Sequence, residues 1–512
     1  MRRVYLHFLA LILAVAERSR LGQKALDVDE LLAPGGEAKA GCPQWSALNA
    51  VLQKLGVDPS VVGGKIKWAG CEVTEIHLGS DLDVNGTLDE EIGKLPSLRH
   101  FSLAGTKTEG NLDSFANSPQ LQVLLLSNTQ VSGDLRSLAN SPQLQQLDLD
   151  NTQVSGDISS LANSPQLQQL DLDNTQVSGD ISSLANSFQL QKLYLSNTRV
   201  SGDISSLANS FQLQQLGLRN TRVSGDLRSL ANSPQLKVLL LRNTQVSGDL
   251  RSLANSFHLQ KLDLTNTRVS GDISSLQGHS KMKDLALSNT SVFGDIGVLT
   301  EWPEIESVDL SCTMATGRLT TSWRGRCALL GSLKLSHSQV EFLPTAEDQM
   351  DFQMIHTQEE NAIFPKLRLL DISGCPLRGN VKDMLQPLLA SGVLATIKAD
   401  GCGLLGSLPQ LAHMSAVVDG DSWASWAAPL ARSLVSLDVS SNEMSFIEEI
   451  PQSVQALLLA DNPSVAFAAG FLPRLYPTGY SWTCRMSLWR TRLRPKSSWK
   501  GVSSPVRTSA PR

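Results

Sequence analysis

Two Asp-x-Asp pairs, Asp148 with Asp150 and Asp171 with Asp173, lie 23 residues apart in the chain. Carboxylates grouped this way can hold a cation, exchange a proton or meet a basic partner. Tyr194 follows, and Arg199, Arg219, Arg222 and Arg242 then supply the opposite charge. A second acidic row, Asp134, Asp157, Asp180, Asp203, Asp226, Asp249, Asp272 and Asp295, has the regularity of a calcium ladder. Each of these precedes a short run of apolar and small residues, so helix N-capping explains it without metal. Gly401-Cys402-Gly403-Leu404-Leu405-Gly406 spells GxGxxG, but no βαβ unit surrounds it. The eight histidines form no HExxH motif, and neither a CxxC nor a Ser/His/Asp grouping is present. These residues point to a binding protein that works without catalysis, metal or cofactor.

The spacing of the charged pairs belongs to the whole middle of the chain. The block LQQLDLDNTQVSGDISSLANSPQ at Leu144–Gln166 recurs at Leu167–Gln189, with Phe188 replacing Pro165 as the one change. A fixed period of this length specifies a solenoid. Counting from Leu144, the apolar positions are Leu144, Leu147, Leu149, Val154, Ile158 and Leu161, with Thr152 at position 9 and Gly156 at position 13. The Leu-Asp-Leu step alternates as a short strand must, which turns Leu147 and Leu149 inward and Asp148 outward. Stacked copies predict a parallel sheet, and Asp157 predicts a brief helical turn on the back. Sixteen coils are legible, from Val73 to Val454.

This pattern is that of a leucine-rich repeat. The entry Trp68-Ala69-Gly70-Cys71-Glu72-Val73-Thr74-Glu75-Ile76-His77-Leu78, the step Glu91-Ile92-Gly93-Lys94-Leu95 and the recurring Val-Ser-Gly-Asp-Ile phrase resemble plant-type extracellular leucine-rich repeat proteins. That group includes receptor-kinase ectodomains, receptor-like proteins and polygalacturonase inhibitors. The resemblance implies an α/β solenoid, a right-handed superhelix with a parallel β-sheet on its concave face, that recognises a partner there. It departs in period, with 23 residues rather than 24, and in having Thr rather than Asn at position 9. It also mostly lacks Pro after position 15, and these departures argue against the family's second short sheet. They look more like the divergent repeats of protist relatives. No Gly-rich loop, HRD or DFG series of a kinase is present.

Five segments follow. Residues 1–16 read as a signal peptide: Arg2-Arg3, an apolar stretch and a small-x-small site. Residues 17–72 form an N-terminal cap, with Ser46 starting a helix that Gly56 ends. Regular coils occupy 73–304. Irregular coils occupy 305–475, with insertions near 344–366 and 410–432. The stretch 476–512 is a basic tail of disordered composition. Secretion permits disulfides: Cys42 with Cys71 is the first candidate, Cys312 with Cys327 a weaker one, and Cys375 and Cys402 read as buried thiols. Asn85 and Asn289 head sequons.

A net charge of -5 excludes nucleic acid as the main partner. The expected product is a secreted or cell-surface protein that binds an extracellular protein, peptide or glycan. Membrane association would come only through an uncleaved N-terminal anchor. Asp148, Asp150, Asp171, Asp173, Tyr194, Arg199, Arg219, Arg222 and Arg242 form the expected binding wall, a single face whose charge changes sign along its length. An adhesive spacer and an inhibitor of a secreted hydrolase are the alternatives. A threonine row that orders water or meets a polysaccharide lattice is a further one.

Overall fold

The computed structural model describes residues 42–342 and parts of 363–467. The segments 1–16 and 476–512, the insertion at 410–432, nearly all of that at 344–366, and Cys484 lie outside the described residues. Contacts divide the chain into two compact units, one running to Glu341 and including Ile363–Leu367, the other holding the described residues from Arg368 onward.

The first unit is a solenoid. Its long sheet takes one strand from each regular coil, three residues long from His100–Ser102 onward, as in Gln146–Asp148, Gln169–Asp171 and Lys192–Tyr194. These pair in parallel with Leu147, Leu170 and Leu193 in register. The leucines at positions 1, 4 and 6 are fully buried in coil after coil. Removing a leucine-sized side chain from water contributes about 1.5–3 kcal/mol. No coil captures that gain alone, because its leucines are covered by the coils on either side.

Position 9 solves a polar problem inside the turn. The hydroxyls of Thr129, Thr152, Thr175, Thr198, Thr221, Thr244, Thr267 and Thr290 each donate to the carbonyl three residues back, at 2.6–2.7 Å. This row is turned inward, so the lattice-binding idea fails: its hydroxyls are already spent on the backbone. The residue before it is Asn in each coil, held at a φ of 54° to 58°. That left-handed conformation favours Asn among residues with a side chain.

The second sheet that the departures argued against is present. It has 12 strands, starting at Thr87–Leu88 and including Gln153–Asp157 and Gln176–Asp180. Strand pairing needs free amides and carbonyls along an extended run, and Val-Ser-Gly-Asp supplies them without a proline. The register shifts so that Gly156 faces Val177 and Asp157 faces Ser178. A 3-10 turn follows every strand but the last, Gln339–Phe342, among the described residues, such as Ile158–Leu161 after Asp157. The eight capping aspartates each accept from the amide two residues on, at 2.7–2.8 Å. That bond lowers the Asp157 pKa, because it favours the ionised form.

The cap corrects one detail of the sequence reading. Its helix runs Pro43–Lys54 with Cys42 at the N-cap, so Ser46 sits inside it and donates to the Pro43 carbonyl. Proline at the first helical position presets φ and lacks an amide that would go unpaired, so it starts the helix earlier. The strand Ile66–Ala69 then folds back antiparallel on Glu72–His77. Cys42 and Cys71 form a disulfide. Cys312 and Cys327 do not pair: Cys312 is exposed in a left-handed turn, and Cys327 is buried with its thiol against the Leu299 carbonyl.

In the second unit, Leu369–Asp371, Thr396–Lys398, Ser436–Asp438 and Ala456–Leu458 pair in parallel. Cys375 and Cys402 are buried thiols there. Asn442 ties coils together, accepting from the Cys402 and Leu404 amides and donating to the Ala399 carbonyl.

Gly179 tests how tightly the coils stack. Its φ is 106°, and an added Cβ would meet the Asp157 Oδ1 of the preceding coil at 2.4 Å. Gly179→Ala should therefore lower the unfolding free energy by about 1–3 kcal/mol, seen as a lower urea midpoint for the full chain. An unchanged midpoint would show that the coils are not packed this closely.

Candidate ligand-binding face

The long-sheet face is built from positions 3, 5 and 7 of each coil. Asp148, Asp171 and Tyr194 occupy position 5 on three consecutive strands, directly in register, with Gly217 next. The corresponding position-7 residues are Asp150, Asp173, Ser196 and Arg219, and Arg242 holds that position one coil later. Seven of the nine expected residues thus share this face. Arg199 and Arg222 do not. They begin strands Arg199–Asp203 and Arg222–Asp226 of the second sheet, exposed beyond the turn. The turn at positions 8 and 9 separates them from the aspartates, which corrects the single-face reading.

Part of the acidity has a local explanation. Asp148 Oδ1 accepts from the Asp150 amide at 3.2 Å, and Asp171 Oδ1 from the Asp173 amide at 3.1 Å. Asp263, Asp309, Asp371 and Asp438 make the same bond in other coils. The position-7 acids differ. Asp150 takes the side-chain amides of Asn151 and Asn174, and Asp173 takes the Ser196 amide of the next coil.

Among the described residues, none of these four carboxylates forms an ion pair. Burial pushes Asp171 up to about 7. The Asp173 amide opposes that shift, while the charges of Asp173, Asp148 and Asp150 add to it. Burial likewise raises Asp173 to about 6 against its bonds with Ser196. Asp150 is raised too, again by burial first. This is a half-buried anionic pocket whose nearest cation, Arg219, lowers Asp173 from a distance without pairing with it.

Tyr194 and Arg219 border it. The Tyr194 ring lies against Gly217, where an added Cβ would come within 2.5 Å of the ring. Its hydroxyl donates to Gln215 Oε1 at 2.6 Å. Arg219 reaches two coils onward to buried Asp263, at 2.9 Å, while its Nε is buried without a hydrogen-bond partner. Arg242 is exposed. Tyr194 and Arg219 are thus preset, and Arg242 faces solvent.

Two features escaped the sequence reading. An asparagine ladder runs along position 8, with each Nδ2 from Asn197 to Asn289 donating to the Asn Oδ1 of the preceding coil at 2.6–2.7 Å. The NT pairs carried that signal. Asn289 ends this run, and both Asn289 and Asn85 are exposed. Second, Glu75, His77 and His100 converge on the first two coils. Their signal was Glu-x-His on one strand with a histidine one coil later.

The chain matches the family model described as leucine-rich repeats (2 copies), over residues 119–163 and 142–186. No curated protein matches it. Among solved structures it is similar to the ectodomain of the Arabidopsis receptor kinase HAESA in complex with an extended IDA peptide hormone. Identity there is 23%, coverage is 82% of this chain and 77% of that one, and the TM-score is 0.60. A leucine-rich repeat protein of Leptospira interrogans gives 18% identity, 78% and 92% coverage, and a TM-score of 0.52. The ectodomain of the Arabidopsis receptor kinase GASSHO1/SCHENGEN3 gives 20% identity and a TM-score of 0.49. It is matched over 77% of this chain, which spans 55% of its length. The repeat match and the first two of these structures show the fold, a leucine-rich repeat solenoid. No helix among the described residues is long and apolar enough to cross a membrane.

The raised carboxyls set a pH dependence of stability. Folded Asp171 keeps its proton to about pH 7, whereas unfolded it would lose it near 3.8. Between those values the folded state binds more protons, so this group's contribution falls as pH rises through the window. Asp171→Asn keeps the acceptor for the Asp173 amide and removes the charge. It should flatten the decline in unfolding free energy between about pH 4 and 7.5, measured by urea melts. A variant with the parent's slope would show that Asp171 ionises normally.

Proposed function

We propose that this chain is a secreted, non-catalytic recognition protein whose long-sheet face binds an extracellular protein or peptide. The segment taken up is basic where it meets Asp148, Asp150, Asp171 and Asp173, and carries an acid or a carboxylate terminus toward Arg242. Asn85 and Asn289 would carry glycans, and the leader would be removed. One observation carries this reading: four carboxylates crowd together on a regular sheet with none of them ion-paired, Arg219 being paired to Asp263 instead. A partner's Lys or Arg would relieve both the repulsion and the desolvation. Preset Tyr194 and Arg219 fit the role of anchors, residue types favoured at binding centres. The HAESA ectodomain, solved in complex with a peptide hormone, is a precedent for peptide binding by this fold.

The position-5 bond favours a second reading, an adhesive or spacing protein. Because Asp263, Asp309, Asp371 and Asp438 repeat it, Asp148 and Asp171 have a structural reason to be acidic. The position-7 acids Asp150 and Asp173 have no such recurring role.

Selection from a displayed peptide library separates the two. Recognition predicts that basic peptides are enriched at neutral pH and bind more weakly near pH 5, where Asp171 and Asp173 hold protons. Asp173→Lys and Arg242→Glu should each weaken capture by at least tenfold, about 1.4 kcal/mol. Enriched peptides indifferent to both changes, together with harmless deletion of Leu144–Gln166, would favour the spacer.

A further inference from the structure

We propose that Glu75, His77 and His100 form a binding site for a divalent transition-metal ion of the zinc class. The three sit on adjacent strands, Glu72–His77 and His100–Ser102, with Glu75 opposite His100 and His77 opposite Ser102. Positions 3 and 5 face the same way, so the sheet turns all three side chains to one side. Glu75 Oε2 lies 2.9 Å from His77 Nε2 and 3.6 Å from His100 Nδ1. All three donor atoms fall within 4.8 Å of one another. Zinc with nitrogen and oxygen ligands at about 2.0–2.2 Å in a tetrahedron sets its donors roughly 3.3–3.5 Å apart. The two separations from Glu75 bracket that value, and the two histidine donors, within 4.8 Å of each other, complete the set by rotamer adjustment.

The donor chemistry narrows the ion. Two imidazoles with one carboxylate suit zinc, copper or nickel better than calcium or magnesium, which prefer all-oxygen shells. Lys67 Nζ approaches the same Glu75 oxygen at 2.8 Å, but its side chain is 62% exposed and can return to water when the metal enters. His77 and His100 are 42% and 33% exposed, which leaves the fourth coordination position on the solvent side, open to water or a partner's donor. The site lies at the first end of the long sheet and does not depend on the acidic pocket.

Isothermal titration of the metal-free full chain with zinc chloride tests this, together with the cobalt(II) visible spectrum. The expected result is one equivalent bound with a tetrahedral cobalt spectrum lacking thiolate charge-transfer bands. Binding should weaken in His77→Ala/His100→Ala by more than the roughly 10–100-fold typical of losing a mere supporting partner. Glu75→Gln should weaken it too, and Cys312→Ser should leave it unchanged. Circular dichroism checks that the variants keep the fold, as expected for half-exposed side chains. A parent chain that binds no zinc, a folded double histidine variant that binds as the parent does, or loss of binding in Cys312→Ser would overturn the assignment.

Discussion

A single coil of this solenoid cannot shelter its own leucines. Leu144, Leu147 and Leu149 are closed off from water because Leu121, Leu124 and Leu126 lie on one side and Leu167, Leu170 and Leu172 on the other. The backbone obeys the same rule, since each strand finds its hydrogen-bond partners on neighbouring coils. A coil that changes length or apolar spacing would strand both kinds of group at once. That shared dependence explains why the period hardly varies from Leu98 to Leu330, and why Thr at position 9 and Asn at position 8 recur with it.

The same constraint leaves the outward positions free. At position 5 the consecutive residues Leu125, Asp148, Asp171, Tyr194, Gly217, Leu240 and Asp263 differ in size, charge and polarity, while their neighbours inside are Leu throughout. Nothing in the stacking selects these side chains. They interact with one another instead: Tyr194 lies down because Gly217 leaves room, and Arg219 stretches to Asp263 past the intervening coil. A regular scaffold can therefore carry an irregular and preset surface.

This division decides what could be read from the sequence. Buried positions were legible because water exclusion imposes one pattern on every coil. The capping aspartates were legible because a 3-10 turn has orphan amides that only a few side chains satisfy. The second sheet was misjudged because proline had been taken as its marker. An extended Val-Ser-Gly-Asp run pairs equally well, and Gly156 at φ 104° lets it lie against the preceding coil. Arg199 and Arg222 were misplaced by a related error: a charge three residues further along the coil has already passed the turn. The Glu75, His77 and His100 cluster was hidden because it joins two coils of unlike sequence, where no repeat marks the partners.

Duplication adds a consequence of its own. Copying a coil places every outward side chain directly beside its twin, so any charge meets a like charge across about 5 Å of sheet. Neutral Gln146 and Gln169 tolerate this, and the asparagines gain from it through their ladder. Carboxylates gain nothing comparable: burial raises Asp171 and Asp173 first, and their like-charged neighbours add to it. The acidic run stops after two copies. The third coil brings Tyr194 at position 5 and Ser196 at position 7, and the Ser196 amide is donated back to Asp173. A third Asp pair would have extended the repulsion without relief. The acidic run thus ends at Tyr194, and there the sheet face becomes asymmetric.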